Sequence, residues 1–135
     1  MISLDANILL RYVLRDHTEL SPRALSIIAG NPCFISRAAL TEMVYTLESY
    51  YRTPRAEACL ALDTLLRLTH VTVEDRAVTE RAVEWYRSGM DFGDAMIAAS
   101  SHAAARVATF DRDFAHLARK LRAVPPVEYA VKARR

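Results

Sequence analysis

The sequence has only two cysteines and no long apolar run. Cys33 and Cys59 belong to no Cys-x-x-Cys pair and no Cys/His cluster, which favours two buried thiols in a reducing compartment. No stretch of roughly 18 uninterrupted apolar residues occurs, so no membrane span is predicted. The first residues, MISLDANILLRYV, carry an acid at Asp5 and no cleavage-like site, which argues against a signal peptide. We therefore expect a cytoplasmic protein that does not engage a membrane.

Several common catalytic motifs are missing as well. The sequence contains no GxGxxG or GxxxxGK[ST] phosphate loop and no GxSxG turn for a serine nucleophile. The histidines show no spacing typical of a metal site; they are His17, His70, His102 and His116. The net charge of +2 is mildly basic and is weak evidence for a nucleic-acid partner by itself. Any catalytic chemistry therefore has to come from other side chains.

Strand and helix signals alternate along the chain. The 135 residues, 52% hydrophobic and 25% charged, are near the globular average and fit one domain over 1–135. Predicted strands lie at 2–4, 32–36, 70–73, 106–110 and 125–130. Such alternation is typical of β-α-β units. The sequence therefore predicts an α/β fold, a three-layer α/β/α sandwich with a central parallel sheet of about four to five strands.

Capping residues mark the predicted helices. The N-cap candidates are Ser21, Ser36, Thr53 and Asp75, and Gly30 and Gly89 fit just past two helix ends. The helices of about 36–68 form a predicted hairpin that is inserted between two strands. The tail, about 131–135, is expected to be frayed.

Four acidic residues fall where a ligand site is expected. Asp5 ends the first predicted strand, and Asp111 follows the strand at 106–110. Asp94 begins the helix that leads into that same strand, and Glu42 lies inside the helix after 32–36. Open α/β sheets bind ligands outside the carboxyl ends of their strands. Each acid alone also has an ordinary explanation, as a helix cap, a turn residue or a solvated side chain.

The joint placement of these acids points to a metal ion. Like-charged carboxylates that lie close together raise each other's pKa and destabilise a fold. A bound divalent cation removes that penalty, and a set of oxygen ligands selects Mg²⁺ or Mn²⁺ rather than zinc. Such an ion turns a water molecule into a nucleophile and neutralises charge at a phosphorus atom. The pattern therefore favours metal-dependent hydrolysis of phosphate esters.

Four segments resemble the motifs of PIN-domain nucleases, in that family's order. These are MISLDANILLRYV (strand–Asp–x–Asn–helix), SRAALTEMVYTL (a Glu within a helix), DFGDAMIAA, and VATFDRDF (Thr–x–Asp–x–Asp–Phe). They span residues 1–114, and the small size resembles the VapC-type toxins of toxin–antitoxin pairs. The resemblance implies an α/β/α sandwich with an acidic pocket and Mg²⁺- or Mn²⁺-dependent endoribonuclease activity. It also implies a homodimer and neutralisation by a cognate antitoxin protein.

The resemblance assigns roles to individual residues. The catalytic acids it implies are Asp5, Glu42, Asp94 and Asp111. Asp5 and Asp94 are interpreted as direct metal ligands. For Glu42 and Asp111 three roles are open: they bind the metal through water, orient the attacking water or hold a second ion. Asn7 and Thr109 are interpreted as polar support for these acids. Asp91 and Asp113 are alternatives to Asp94 and Asp111, although Asp91 better fits a helix cap and Asp113 a solvated turn.

The residues that contact RNA are harder to select. Arginines near the expected site are candidates for binding RNA phosphates, or they form a solvated basic face; they are Arg11, Arg15, Arg37, Arg52 and Arg55. Apolar residues of the hairpin line a groove for an antitoxin segment or belong to the core; they are Val44, Leu47, Tyr50 and Tyr51. For Trp85 and Tyr86, core packing or a dimer contact is favoured over base stacking.

Three other classes of protein share part of this pattern. A phosphatase of the haloacid dehalogenase type needs a second Asp two residues after the first, and this chain has Asn7 there. A receiver domain needs paired acids at the end of the first strand, and these are absent. A PIN-like module that binds RNA or protein without catalysis remains an alternative. The presence of all four acids argues against it, since a decayed site is expected to lose one of them first.

Overall fold

The computed structural model describes residues 1–131, and the rest of the predicted frayed tail at 131–135 lies outside this range. The chain divides into two compact units, Met1–Arg76 and a second that begins at Ala77. No helix within residues 1–131 is both long and apolar enough to cross a membrane. Cys33 and Cys59 are free thiols and buried, as predicted.

The first unit contains three parallel strands with two pairs of helices. Its elements are β1 (Ile2–Ser3), α1 (Ala6–Leu14), α2 (Leu20–Gly30), β2 (Cys33–Ile35), α3 (Arg37–Ser49), α4 (Arg55–Leu66) and β3 (Val71–Val73). The strand order is β1-β2-β3, and each pairing is parallel. In β3, Val71 and Val73 are buried and Thr72 between them is exposed, because successive side chains of a strand point to opposite faces. The predicted hairpin corresponds to α3 and α4, which pack against each other.

Aliphatic side chains at helical spacing form the core of this unit. The buried positions of α3 recur every three or four residues, at Leu40, Met43, Val44 and Leu47. Each fully buried side chain of this kind stabilises the fold by roughly 1.5–3 kcal/mol relative to an exposed one. Val44 and Leu47 therefore belong to the core, whereas Tyr50 is 76% exposed.

The second unit contains a pair of parallel strands and three helices. Its elements are α5 (Arg76–Arg87), α6 (Phe92–Ser100), β4 (Val107–Thr109), α7 (Arg112–Lys120) and β5 (Val127–Tyr129), with β4 parallel to β5. Tyr86 and Phe92 are fully buried and meet edge to face, with ring centroids 5.4 Å apart. This contact joins the end of α5 to the start of α6. Tyr86 is thus a core residue, and Trp85 is only partly buried.

The predicted class is confirmed as mixed α/β with parallel strands, whereas the predicted single sheet is not shown. The described strands pair as one sheet of three and one of two. A single sheet of about four to five strands and the three-layer sandwich therefore stay predictions. The strands are also shorter than predicted, with two or three residues each. Their flanking residues leave the ladder to enter helices or turns.

Among the four predicted N-caps, Ser21 and Thr53 are wrong and Ser36 is confirmed, and the helix after Asp75 begins at Arg76 as predicted. Helix α2 begins at Leu20, so Ser21 is not its cap; the Ser21 hydroxyl is buried and accepts a hydrogen bond from the backbone N–H of His17. The ring nitrogen Nδ1 of His17 accepts from the N–H groups of Glu19 and Leu20 instead.

Helix α4 begins at Arg55, and its N-cap position is Pro54 rather than Thr53. By contrast, Ser36 caps α3 as predicted, since its hydroxyl accepts from Ala39 N–H at 3.1 Å. Helix α5 ends at Arg87, and Gly89 follows with φ +115°, a conformation that favours glycine. Gly30 is the last residue of α2 rather than the residue just past it.

Candidate active site

The start of α6 holds two carboxylates in different roles. Asp91 is the N-cap, and its Oδ2 accepts a hydrogen bond from the backbone N–H of Asp94 at 3.0 Å. A Cβ on Gly93 would lie only 3.2 Å from this Oδ2, so the glycine leaves room for the cap. Because Asp91 satisfies the backbone of this first turn, the Asp94 carboxylate is not needed as a cap. The predicted helix-cap role of Asp91 is therefore the observed one.

The carboxylate of Asp94 lies in unfavourable surroundings for a negative charge. It is partly buried, and burial is the main cause that raises its pKa to about 6. The negative charges of Asp91 and Asp111 raise the pKa further. These three acids thus form a cluster in which the central carboxylate is destabilised when it is ionised. A cation would relieve this repulsion.

Asp111 stands where β4 passes into α7. Its Oδ1 accepts hydrogen bonds from the N–H groups of Asp113 and Phe114, at 2.9 and 3.2 Å, which caps α7. The hydroxyl of Thr109 accepts from Asp111 N–H at 3.0 Å and holds the turn. Asp111 is therefore a helix cap that keeps a second carboxylate oxygen available, and Asp113 is exposed in the first turn of α7.

The acids predicted in the first unit are solvent-exposed. Asp5 precedes α1, and its backbone carbonyl accepts from the N–H groups of Ile8 and Leu9. Its carboxylate, however, makes no capping hydrogen bond, so the ordinary cap explanation fails for Asp5. Glu42 lies on an exposed position of α3, and Asn7 is exposed in the first turn of α1. Within residues 1–131, the Asp5 carboxylate is thus not used as a helix cap.

Three of the five arginines predicted to bind RNA phosphates, Arg11, Arg15 and Arg37, have partners within the protein. The Arg37 guanidinium lies 3.4 Å from Glu74 and 3.1 Å from Asp75, just after β3. The backbone N–H of Arg37 also donates to Glu74, and this hydrogen bond is the main cause that lowers the pKa of Glu74. Arg37 is therefore already balanced by acids.

The other two of these three arginines, Arg11 and Arg15, make their contacts near α1. Arg11 pairs with Asp16 at 2.8 Å and donates to the Tyr51 hydroxyl, and these bonds raise the pKa of Arg11. Arg15 donates to the carbonyl of Tyr12 and lies over its ring, 5.2 Å from the centroid. Binding to RNA would compete with these contacts, so their role in phosphate binding stays a prediction.

Comparison with models of known protein families shows which family the chain belongs to. Residues 2–120, most of the chain, match the model of the PIN domain. The protein belongs to the PIN domain family. No curated protein and no solved structure shows significant similarity to it. Members of this family are typically metal-dependent nucleases. The match contains all four motifs noted in the sequence, and the phosphatase and receiver alternatives are therefore dropped.

The family implies Mg²⁺ or Mn²⁺, and the acidic side chains of this PIN domain suit such an ion only in part. Within residues 1–131, no group of three His, Cys, Asp or Glu side chains is arranged to hold a metal ion. Mg²⁺ requires less than that, because it keeps several waters and is usually bound by one or two carboxylates together with substrate phosphates. The Asp94 cluster provides hard oxygen donors and unbalanced negative charge. The donor chemistry therefore fits such an ion.

Phe110 was not among the site residues predicted from the sequence of this PIN domain. Phe110 is 79% exposed, and it stands between Thr109 and Asp111. The hydrogen bond from Asp111 N–H to the Thr109 hydroxyl spans the residue, and Ala130 N–H donates to the Thr109 carbonyl. An aromatic ring on a fixed turn beside an acid is suited to stacking on a nucleobase. The sequence feature that could have indicated Phe110 is the presence of an aromatic residue inside the polar segment TFDRD.

Proposed function

We propose that this PIN-domain protein is a Mg²⁺- or Mn²⁺-dependent endoribonuclease and the toxin of a type II toxin–antitoxin pair. The observation that carries the nuclease proposal is the electrostatic environment of Asp94, whose pKa is raised to about 6 by burial and two neighbouring carboxylates. Perturbed carboxylates of this kind are concentrated at functional sites. The family's typical activity and the four ordered motifs support the same function.

The proposed roles follow from what each side chain touches. Asp94 is a direct metal ligand, and Asp111 supports it through its second oxygen, by way of water or a second ion. Asp5 and Glu42 are kept among the proposed catalytic acids because of the sequence motifs that contain them, with Asp5 as a direct metal ligand. When bound, the ion activates a water molecule and neutralises charge on the scissile phosphate. Thr109 and Asp91 fix the backbone that carries Asp111 and Asp94 through hydrogen bonds of 3.0 Å each.

Two surfaces of the first unit support protein partners in the toxin proposal. A groove of about 370 Å³ lies along α1 and α2 and is lined by Ile8, Leu20, Ile27 and Arg23 among others. Its apolar walls and its arginine suit an amphipathic antitoxin segment. Large apolar side chains are exposed on the hairpin, at Tyr45, Tyr50 and Leu60. They are candidates for the predicted homodimer contact. Two buried free cysteines agree with action in the cytoplasm.

A non-catalytic PIN module is the second candidate. It is favoured by one observation, the lack of any three-residue metal group within residues 1–131. Such a module would bind RNA without hydrolysing it. The destabilised Asp94 carboxylate argues against this alternative, because a site that has lost its ion gains nothing from keeping the repulsion.

Cleavage of RNA by the purified protein separates the two candidates. We expect fragments from labelled RNA in Mg²⁺ or Mn²⁺ and none in EDTA. Asp94→Asn should abolish cleavage, whereas Glu80→Gln, which removes an exposed carboxylate on α5, should not change it. Equal cleavage by Asp94→Asn would reject the assigned site. Binding of RNA without cleavage under any metal would favour the non-catalytic module. Co-purification with a small antitoxin-like partner tests the toxin role separately.

A further inference from the structure

A groove of about 640 Å³ lies between α7 and β5 in the second unit. One side carries His116, Arg119 and Arg122, and the other side carries Glu128 and Tyr129. The buried small side chains of Ala118 and Ala123 also line it and leave it open for a ligand. None of the predicted site residues lines this groove, so its chemistry is separate from that of the acids.

Positive charge in the groove is not balanced by acids. Arg119 and Arg122 are exposed, and over residues 1–131 neither forms an ion pair. The groove's one acid, Glu128, pairs with Arg106 at 3.6 Å. His116 and Arg119 are three residues apart and lie on one side of α7, and Arg122 follows the end of this helix. The groove therefore presents two arginines and an imidazole ring to an anion.

The backbone at the end of α7 fixes one of these donors. Arg122 has φ +57°, and Ala123 N–H bonds to the carbonyl of Ala118, a helix-end turn that usually has glycine in this position. Arg15 and Arg52 also have left-handed conformations, with φ of +53° and +56°. This conformation alone therefore does not mark a site. Its consequence here is that the Arg122 side chain starts from a defined backbone at the groove.

The groove's Tyr129 lies on β5, the strand that pairs with the strand before Asp111. Tyr129 is paired with Thr109 in the strand register, and the guanidinium of Arg112 lies 4.4 Å from the Tyr129 ring centroid. Asp111 caps the start of α7, and Arg122 follows its end. At 1.5 Å per residue, this path covers roughly 16 Å. Tyr129 thus belongs to the strand next to the one that leads to Asp111, whereas Arg122 lies beyond the opposite end of α7.

We propose that this groove binds the phosphodiester backbone of the RNA strand that is cleaved, on one side of the cleavage site. The inference rests on the proposed ribonuclease function. Two neighbouring arginines in an open groove match the repeated charges of a nucleic-acid strand, and arginine is well suited to phosphate. The contacts are to phosphates, so they strengthen binding without selecting the RNA sequence.

Binding of labelled single-stranded RNA to the full chain in EDTA tests the groove apart from cleavage. Anisotropy is measured between about 50 and 200 mM salt. We expect Arg119→Gln/Arg122→Gln to bind about tenfold more weakly at the lower salt. The salt slope of log K should become smaller by about 1.4, which is about 0.7 for each of two phosphates.

Two further variants control for net charge and for folding. Arg81→Gln/Lys120→Gln removes the same charge from exposed positions outside the groove lining and should keep the salt slope unchanged. Glu128→Gln removes the groove's acid and should tighten RNA binding, which a folding defect would not do. Circular dichroism of each variant verifies the fold.

The outcomes separate this inference from the proposed function. Equal slopes for the groove variant and its charge-matched control would overturn the groove, as would failure of the unaltered chain to bind RNA in EDTA. Competition by inorganic phosphate as effective, per phosphate, as that by RNA would also overturn it, since the groove would then bind small anions. Cleavage in Mg²⁺ is measured separately. RNA binding through the groove without any metal-dependent cleavage would reject only the ribonuclease.

Discussion

Glu74 and Asp75 follow β3 and face the guanidinium of Arg37, whereas Asp94 at the start of α6 faces the carboxylates of Asp91 and Asp111. The two acidic regions therefore have opposite electrostatics. Hydrogen bonds from Arg37 lower the pKa of Glu74, and burial with like charge raises the pKa of Asp94. A carboxylate of the first kind stabilises the fold in its ionised form. A carboxylate of the second kind destabilises the fold unless a cation is present.

The largest expected difference between these regions is in catalysis. Asp94→Asn should lower the rate of RNA cleavage at least about hundredfold, because a lost metal ligand removes several kcal/mol of transition-state stabilisation. Glu74→Gln removes a charge of the same sign from a balanced pair and should leave the rate per folded molecule unchanged. Single-turnover cleavage assays, corrected for folded fraction, compare the two. Similar losses in both variants would show that the charge imbalance does not mark the active site.

Stability as a function of pH should separate the two regions next. The pKa of Asp94 is about 6 in the folded chain against an ordinary 3.8, so the folded state binds the extra proton between these values. The free energy of unfolding of the metal-free protein should therefore fall as pH rises from about 4 through about 6. Glu74 acts in the opposite direction, since its lowered pKa gives stability that is lost as the pH falls below its ordinary value of 4.5.

Comparison with Asp94→Asn isolates the contribution of that one carboxylate. At pH 7 in EDTA the variant should be more stable than the unaltered chain by about 1 to 2 kcal/mol, a value reduced from the full shift because Asp94 is partly exposed. At pH 4 the two should be nearly equal. Urea unfolding at both pH values gives the comparison. A variant that is less stable at pH 7 would mean that the Asp94 charge has a stabilising partner.

Residues that are close together in the sequence were sufficient to predict the main features of the region around Asp94. The cap at Ser36, the cap at Asp91 and the carboxylates next to strand ends are set by residues within four positions of each other. The spacing of Asp91 and Asp94 already predicted one cap and one uncapped acid. The family motifs then placed Asp5, Glu42 and Asp111, whose roles stay proposals.

The region around Arg37 and Glu74 depends on contacts between residues that are distant in the sequence. Arg37 and Glu74 are 37 residues apart, and their pairing follows from the parallel alignment of β2 and β3 rather than from any local pattern. Arg37 was therefore predicted to be available for RNA. The groove of α7 and β5 was missed for the same reason, since Arg119 and Glu128 line one groove only after two elements pack. Ser21 looked like a cap because its burial is not visible in sequence.

A change at Arg37 should reveal the structural role of the balanced region. Arg37→Met keeps much of the side chain's length and removes its charge, which leaves Glu74 and Asp75 without that partner. We expect a loss of about 1 kcal/mol in the free energy of unfolding, because the ion pairs are partly exposed. Chemical denaturation measures it, and RNA cleavage should be unchanged. A large loss of cleavage with little change in stability would instead assign Arg37 to the RNA site.

The smallest expected effect is the shift of the melting temperature on adding a metal ion. Mg²⁺ or Mn²⁺ binds only the folded chain at this site, so it should raise the melting temperature by a few degrees at concentrations well above Kd, in proportion to RT ln(1 + [L]/Kd). The shift should be larger at pH 7.5 than at pH 5, because protons compete with the metal for Asp94, whose pKa is about 6. Asp94→Asn should lose the shift, whereas Glu74→Gln should retain it. An equal shift in all three proteins would place the ion elsewhere and remove the link between unbalanced charge and metal binding.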